Sequence, residues 1–235
     1  MGTSYHFSQT QLKVLLSGSG YDTIIGVGYD SESLSDEMVV RTLNDLTNGK
    51  LISANDRCFE AIPSLQRLIY GVGEAKRCFT IRSCDLRLPD LCLFFGEVSV
   101  LCTVRTGGGG DVVMEEFLSG ELFDRLTEEG YIPEEYVPMP DPDDSFREYE
   151  DELFSSAKGL DALPSGSSLI LSIEMLDRDG VCRAYLRVID YYLYDYIVYE
   201  LDGQRQRAAY STECLQTVFE KMVQDDYCRD KRPCC

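Results

Sequence analysis

The chain has 235 residues, of which 44% are hydrophobic, and this is enough for one large domain or two closely packed halves. Its 41 acidic and 22 basic residues give a formal net charge of −19, which repels nucleic-acid backbones and anionic membranes. The first residues lack the basic start and apolar core of a signal peptide, and no apolar run approaches the roughly 18 residues that span a bilayer. We therefore predict a soluble cytoplasmic protein, with a protein partner rather than nucleic acid or membrane.

The first part of the chain reads as a helix, a short strand, a second helix and a hairpin. A capping box, Ser8-Gln9-Thr10-Gln11, begins the first helix. The apolar run Ile24-Ile25-Gly26-Val27 predicts a strand, and Ser35 begins the second helix. A small hairpin then joins Leu51-Ile52 to Cys58-Phe59. This order is typical of a winged-helix module.

The charges of this module argue against nucleic acid as its partner. The second helix and the hairpin carry three basic residues, Arg41, Lys50 and Arg57. The same elements carry four acidic residues, Asp36, Glu37, Asp45 and Asp56. Because phosphate neutralisation dominates affinity for DNA, we favour a winged-helix-like fold used for packing or protein contact. A winged-helix transcription regulator stays open as an alternative.

A strand meander between two helices completes the first half. Pro63 begins a helix with an apolar stripe. Strands are predicted over 79–82, 91–95, 98–104 and 112–114, with a two-residue turn at Gly96-Glu97, and a helix follows over 119–129. The glycine run 107–110 is a hairpin connection rather than a phosphate-binding loop, because Asp111 and a strand follow it instead of a lysine and a helix.

The composition changes sharply between residues 134 and 152, where prolines interrupt regular structure and nine carboxylates accompany a single arginine. We interpret 134–152 as an acidic, Pro-rich linker between an N-terminal half, 1–133, and a C-terminal half, 153–224. An acidic docking segment for a basic partner is the alternative. Helical spacing near its end predicts a short helix through Phe146, Tyr149, Leu153 and Phe154. Residues 225–235 are expected to form a disordered tail.

The second half gives the clearest pattern, four strands followed by one helix that Ser211 caps. Turn signals at Asp179-Gly180 and Asp202-Gly203 join the strands into hairpins. Alternation predicts a core-facing set, namely Leu169, Leu171, Ile173, Met175, Cys182, Ala184, Leu186, Val188, Leu193, Ile197 and Ala208. We therefore predict an α+β fold of two pseudo-repeated antiparallel sheet-plus-helix halves, with an N-terminal winged-helix-like segment.

The opposite side of the second sheet collects tyrosine and arginine on an otherwise acidic protein. The predicted members of this surface are Arg183, Tyr185, Arg187, Tyr192, Tyr194, Tyr196, Arg205 and Arg207. Cross-strand stacking at a solvated face, or burial against the other half, explains such a pattern without a partner. Tyrosine and arginine are also the residues that most often anchor protein interfaces, so we take these eight as candidate partner-binding residues.

Catalytic and metal-binding patterns are sparse. His6 is the only histidine, and any Ser–His or Cys–His pair would depend on it. Most of the ten cysteines lie within apolar strand or helix patterns, where buried reduced thiols are expected rather than a disulfide framework. No Cys-x-x-Cys spacing occurs. We predict no enzyme activity, no metal site and no cofactor.

The order of elements resembles the EspG-like family, the ESX or type VII secretion-associated proteins. The resemblance rests on the start Phe7-Ser8-x-x-Gln11-Leu12-x-x-Leu15-Leu16, the helix leading to Leu51-Ile52, and the helix at Pro63-Ser64-Leu65. The meander, the helix before Gly130 and Pro133, and a second sheet-plus-helix half complete it. No contact residue of the family can be matched to a position here.

The resemblance implies a pseudo-twofold α+β fold with a central antiparallel sheet and helical bundles. It also implies a non-enzymatic cytoplasmic chaperone or adaptor that binds secreted substrate proteins, with a helical secreted substrate or a basic protein as its partner. An acidic immunity-type protein that neutralises a basic toxin is an alternative. The acidic linker and the many cysteines are departures from the family.

Overall fold

A nine-stranded antiparallel sheet runs through the whole of this computed structural model. The structure describes residues 4–21, 34–55, 58–104, 111–135, 167–191, 194–201 and 203–224. The strands are β1 Ser4–Ser8, β2 Ile52–Ala54, β3 Phe59–Ala61, β4 Arg77–Ser83, β5 Asp90–Phe95, β6 Val100–Val104, β7 Asp111–Glu116, β8 Ser167–Leu176, β9 Cys182–Tyr191, β10 Tyr194–Leu201 and β11 Gln204–Ala209. The large sheet has the order β1-β7-β6-β5-β4-β8-β9-β10-β11, and β2 and β3 form a separate hairpin.

The two predicted meanders join side by side at the centre of this sheet. β4 and β8 are antiparallel neighbours, with Thr80 opposite Glu174, and apart from the edge strand β1 the sheet has four strands on each side of this junction. The α+β class with a large antiparallel sheet is therefore confirmed. The duplication of the two halves and their domain boundaries stay predictions. Most of the linker, 136–152, and the tail, 225–235, lie outside the described residues.

Five α-helices are described, and several begin where the sequence places a cap. They are α1 Gln9–Gly18, α2 Asp36–Asn48, α3 Pro63–Gly73, α4 Leu122–Glu128 and α5 Thr212–Gln224. Ser8 Oγ accepts from the Gln11 amide at 3.2 Å, and Gln11 Oε1 accepts from the Ser8 amide at 2.9 Å. The predicted capping box is thus formed. Ser211 caps α5 through the Cys214 amide at 3.1 Å, as predicted.

One face of the large sheet packs under α4 and α5. Phe79 of β4 is fully buried there and contacts Phe95 and Phe219 edge to face, with ring centroids 5.1 and 6.4 Å apart. The predicted inward stripe of the last helix, Leu215, Val218, Phe219 and Met222, lies in the same cluster. Because this core includes residues of both meanders, it ties the two halves together across β4 and β8.

The other face of the first meander packs under α1 and α3. Its buried residues include Leu12 and Leu16 of α1 and Leu65 and Ile69 of α3. Leu46 brings α2 into the same cluster. Cys78, Cys92 and Cys102 are buried free thiols on this face, as the sequence predicts.

Two local predictions need correction. The expected helix over 119–129 begins as a 3-10 turn, Ser119–Glu121, before α4. The two-residue turn at Gly96-Glu97 is wrong, because β5 ends at Phe95 and β6 begins only at Val100. Val98 leaves the strand and packs on the cluster under α3, close to Gly71, which has no side chain to exclude it.

Strand β1 is an element that the sequence did not predict. Its five residues pair with β7, and His6 lies opposite Val113 in this ladder. A run this short carries too little alternation to distinguish it from an extended terminus, and only the exposed edge of β7 stabilises it as a strand. The sole histidine is therefore part of the sheet edge rather than a mobile terminal residue.

The winged-helix part of the prediction stays a prediction. The β2–β3 hairpin is present as expected, with Ile52 opposite Ala61. The strand expected at 24–27 lies outside the described residues. None of the helices in the described ranges combines the length and the apolar run needed to cross a bilayer.

Candidate protein-binding face

Two β-bulges decide which side chains of the second meander lie on its outer face. The β8–β9 register shifts between Leu169 and Leu171, and again between Met175 and Leu176. A bulge adds one residue to one strand and so reverses the alternation beyond it. Leu169 and Cys182, both expected to face the core, therefore lie on the opposite side, whereas Ile170 packs against the core. The rest of the inward set holds for Leu171, Ile173, Met175, Ala184, Leu186, Val188 and Ile197.

The outer face of β8–β11, which we name the Tyr/Arg face, is ordered in three rows across the strands. The first row contains Glu174, Tyr185, Glu200 and Arg205, which lie opposite one another in turn. The second row contains Ser172, Arg187, Val198 and Arg207. The third row contains Leu169, Ile189, Tyr196 and Ala209. The face is therefore charged at one end and apolar at the other.

Arginine–carboxylate pairs organise the charged end. Arg187 Nη2 lies 3.2 Å from Glu174 Oε1, and its guanidinium stacks over the Tyr185 ring at 5.2 Å from the centroid. Arg205 Nη2 lies 3.5 Å from Glu200 Oε2. The pattern matches the predicted cross-strand stacking of tyrosine with arginine and adds two glutamates to it.

Arg183 does not join these arginine–carboxylate pairs, because it lies at the second bulge, between Cys182 and Ala184. Its Nε lies 2.6 Å from Asp177 Oδ2, in the loop between β8 and β9. The same carboxylate accepts from the amides of Asp179 and Val181 at 2.9 Å each, and these bonds close the loop. Arg183 thus stabilises the hairpin end and lies at the margin of the face.

Burial changes the acid–base behaviour of two groups on this face. Burial raises the pKa of Tyr185, and the neighbouring Arg205 lowers it in part. Burial also raises the pKa of the Cys182 thiol to about 11, with Glu174 adding to the effect. Both groups are therefore neutral at physiological pH, and Tyr185 acts as an aromatic surface and hydrogen-bonding group rather than as an acid.

The apolar end of the face is a small cluster of its own. Ile189 and Val198 are only 4% and 7% exposed, and Leu169, Tyr185 and Tyr196 pack against them. All five belong to β8, β9 or β10. Each of the two meanders has two sides, which gives the sheet four quarters. Helices α4 and α5 cover one side of both meanders, and α1 and α3 cover the other side of the first meander. None of these four helices contributes a residue to the cluster at Ile189 and Val198.

Most of the predicted site residues come together. Tyr185, Arg187, Tyr196, Arg205 and Arg207 share the face, with Arg183 at its margin. Tyr192 and the side chain of Tyr194 lie outside the described part of the chain. Glu174, Ile189, Val198 and Glu200 belong to the face and were missed. Strand alternation points to Val198 and Glu200, whereas the bulges that align Leu169 with Ile189 leave no signal in the sequence.

Clefts also lie elsewhere on the surface. A cavity of about 760 Å³ lies where α3 and α5 end, and Arg178 crosses it to Glu74, with 3.4 Å between Nη2 and Oε2. A smaller groove of about 480 Å³ between α1, α2 and the β2–β3 hairpin is lined by Val14, Leu43 and Phe59. No group of three metal-ligating side chains is found among the residues that the structure describes.

The arrangement of the sheet and helices can be compared with known proteins. No protein-family model matches the chain, and no curated protein matches it in sequence. A solved structure does match: the type VII secretion system chaperone EspG5 of Mycobacterium tuberculosis, in complex with the PE25–PPE41 dimer. This chain is similar in fold to EspG5. The match covers 94% of this chain and 96% of EspG5, with a TM-score of 0.51 and 10% sequence identity.

The likeness to EspG5 confirms the resemblance in fold that the sequence suggested. It extends over both meanders and their helices, since almost the whole of each chain is covered. At 10% identity the likeness concerns the fold alone.

Proposed function

We propose that this chain is a non-enzymatic cytoplasmic chaperone or adaptor that binds secreted substrate proteins of a type VII (ESX-like) secretion system. The observation that carries the proposal is the match in fold to EspG5, a chaperone solved with a protein dimer bound, over nearly the full length of both chains. Catalysis has little support, because the only histidine of the sequence, His6, pairs with Val113 in the edge strand β1 and lines neither of the two clefts described above.

The proposed binding site is the Tyr/Arg face. At its apolar end the partly buried Leu169, Tyr185 and Tyr196 surround the buried Ile189 and Val198, and at its charged end arginines pair with Glu174 and Glu200. Buried tyrosine and arginine with a polar rim are the composition of interface hot spots. A helical partner fits such a surface, because one apolar stripe of a helix can lie across the third row while its polar flanks meet the arginines.

Coexpression tests the proposal directly. The chain is produced together with each small secreted helical protein encoded beside its gene, and the mixtures are separated by size-exclusion chromatography. We expect one of these proteins to remain soluble only with this chain and to elute with it as a complex. If every candidate elutes separately, the chaperone function is refuted.

Substitutions on the face then test the site. Truncating an interface hot spot costs about 2 kcal/mol or more, so Tyr196→Ala is expected to weaken the complex by roughly 30-fold. Tyr70→Ala is the matched control, because Tyr70 is a half-exposed tyrosine on α3, away from the face. Equal binding by both variants would move the site elsewhere while leaving the chaperone function intact.

The net charge of −19 favours a second candidate, an immunity-type protein that neutralises a basic toxin. Its association would be strongly salt-dependent, whereas an apolar contact along the third row would change little between low and physiological salt. DNA binding through α2 and the β2–β3 hairpin is the remaining alternative. We expect no gel shift at low salt, because Asp36 and Glu37 occupy the first turn of that helix.

A further inference from the structure

We propose that the cavity where α3 and α5 end binds a small polyanion, a ligand that carries several phosphate or carboxylate groups. Its volume of about 760 Å³ lies within the range of small-molecule sites. The walls come from both halves of the chain, namely the ends of α3, β5 and α5, the start of β4, and the loop between β8 and β9. The described residues of the lining include no member of the Tyr/Arg face, so the inference goes beyond the function proposed above.

The walls of this cavity are more basic than the rest of the protein. Among the described residues that line it, Lys76, Arg77 and Arg178 are cations, and Glu74 and Glu97 are carboxylates. Positive charges thus exceed negative ones by one, whereas the whole chain has a net charge of −19. A basic region on a protein whose net charge repels anions concentrates anionic ligands at that region.

Two of the three cations can turn to a ligand at little cost. Lys76 has no ion-pair partner among the described residues, and its amide donates to the Phe95 carbonyl at 3.1 Å, which fixes the start of β4. Arg178 reaches Glu74 at 3.4 Å with a side chain that is 61% exposed, and such a pair is weak. The third cation is held in place, since the Arg77 guanidinium lies 5.9 Å from the centroid of the Phe95 ring.

The acidic groups of the cavity oppose an anion less than their number indicates. Glu74 Oε1 accepts from the Tyr21 hydroxyl at 3.2 Å, and its Oε2 faces Arg178. Two of the last carbonyls of α3 accept from the amides of Glu74 and Ala75, so they are already paired. Glu97 is exposed on the loop after β5, and its carboxylate is the lining group that opposes an anionic ligand most.

The other polar groups of the lining indicate which anions fit. Ser99, Ser119 and Tyr70 supply hydroxyls that can donate to phosphate or carboxylate oxygens. Guanidinium groups bind either oxyanion through paired N–H bonds. Phosphate and carboxylate therefore share the chemistry of this cavity, and inorganic pyrophosphate and citrate are the probes that distinguish the two sources.

Calorimetry of the full-length chain with each probe at low salt tests the site. We expect at least one probe to bind, and Lys76→Gln with Arg178→Gln to weaken its binding roughly tenfold. The matched control is Arg41→Gln with Arg67→Gln, which removes the same charge from exposed side chains of α2 and α3 outside the lining. Its affinity should change by less than about twofold.

Every outcome of this titration is informative. Binding of pyrophosphate alone assigns the cavity to phosphate ligands, and binding of citrate alone assigns it to carboxylate ligands. If neither probe binds, or if both double variants lose the same affinity, the cavity is not a polyanion site. The chaperone function is unaffected by that result, because coelution with a secreted protein tests it separately.

Glu97→Gln tests the sign of the ligand charge. Removing this carboxylate from the wall should tighten binding of the probe several-fold, because the charge that opposes it is gone. Glu37→Gln, which removes an exposed carboxylate from the first turn of α2, is the control and should leave the affinity unchanged. Weaker binding by Glu97→Gln would show that the cavity does not select anions.

Chemical labelling gives a readout at the cavity itself. Exposed lysines of the unaltered chain are acetylated with an N-hydroxysuccinimide ester, and peptide mass mapping follows the rate at each site. A saturating probe should slow the acetylation of Lys76 several-fold and leave that of Lys50, an exposed lysine after α2, unchanged. Equal rates at Lys76 with and without the probe would place the bound anion elsewhere and overturn the proposal.

Discussion

Arg187 of β9 and Glu174 of β8 pair diagonally across the two strands, with 3.2 Å between Nη2 and Oε1. Their side chains are only 13% and 21% exposed, so water screens this pair less than an ion pair at the open surface. Glu174 also lies beside Thr80 of β4, at the junction of the two meanders. The pair therefore joins the Tyr/Arg face to the centre of the sheet.

Removing one partner of this pair should be costly. We expect Arg187→Ala to lower the free energy of unfolding by about 1–3 kcal/mol, because Glu174 then stays partly buried without its cation. Urea unfolding measures the loss, and a double-mutant cycle with Glu174→Gln isolates the interaction. The control is Arg67→Ala, which breaks an exposed pair with Glu116 and should cost about 1 kcal/mol or less. Equal losses would show that water screens both pairs alike.

Phe79 should be among the residues on which the stability of the fold depends most. It is fully buried where β4, β5 and α5 meet, between the rings of Phe95 and Phe219. Phe79→Ala is expected to lower the free energy of unfolding by about 3–5 kcal/mol, since it leaves a cavity that the surrounding strands cannot close. Leu86→Ala is the control, because Leu86 is 96% exposed and its truncation should change stability by less than about 0.5 kcal/mol. A loss below about 1 kcal/mol for Phe79→Ala would contradict the packing described.

Two helical glycines should respond to alanine in opposite directions. A Cβ on Gly71 would lie 2.7 Å from Cγ2 of the buried Val100 and 3.1 Å from the Val98 carbonyl. We expect Gly71→Ala to destabilise the protein by about 1–3 kcal/mol, because α3 must move away from the sheet. A Cβ on Gly18 meets nothing within 4 Å, so Gly18→Ala should stabilise α1 by up to about 1 kcal/mol. Thermal unfolding of both variants checks the pair, and destabilisation by both would point to backbone strain instead.

The cysteines should fall into two reactivity classes. Burial raises the pKa of the Cys78 and Cys102 thiols, so they hold less reactive thiolate at any given pH than an exposed thiol. At about pH 8 we expect N-ethylmaleimide to label Cys58 and Cys84, which are exposed, while Cys78, Cys92 and Cys102 react only after unfolding in urea. Peptide mass mapping measures each site. Labelling of Cys102 in the native protein as fast as that of Cys84 would contradict the core under α1 and α3.

Much of the fold follows from local patterns. The capping box at Ser8, the proline at the start of α3 and the stripe of α5 each depend on residues within a few positions of one another, and all three are present as predicted. The two-residue loop that pairs Leu201 with Gln204 follows in the same way from Asp202-Gly203. Periodicity and turn chemistry are short-range, so one sequence is sufficient to reveal them.

The candidate site was predictable only in part. Alternation along β9, β10 and β11 brings Tyr185, Arg187, Tyr196, Arg205 and Arg207 to one side. The sequence could not predict that Leu169 and Cys182 lie on the outer side of the sheet. A β-bulge depends on how two strands pair and pack together, and neither strand shows this alone. For the same reason the sequence did not pair Arg183 with Asp177 in the hairpin loop.

The sequence by itself determined most of the helices and strands of this protein, its acidic charge and the tyrosine and arginine that alternate along its last strands. Only the tertiary structure decided that β4 and β8 join the two meanders into one sheet, that β1 closes one edge, and that four helices cover three quarters of it. These features depend on pairing between strands that are far apart in the chain. The free energy of this pairing comes from apolar surface that distant segments bury together, so no single segment reveals it. The quarter that remains, with Ile189 and Val198 at its centre, is where we place the partner.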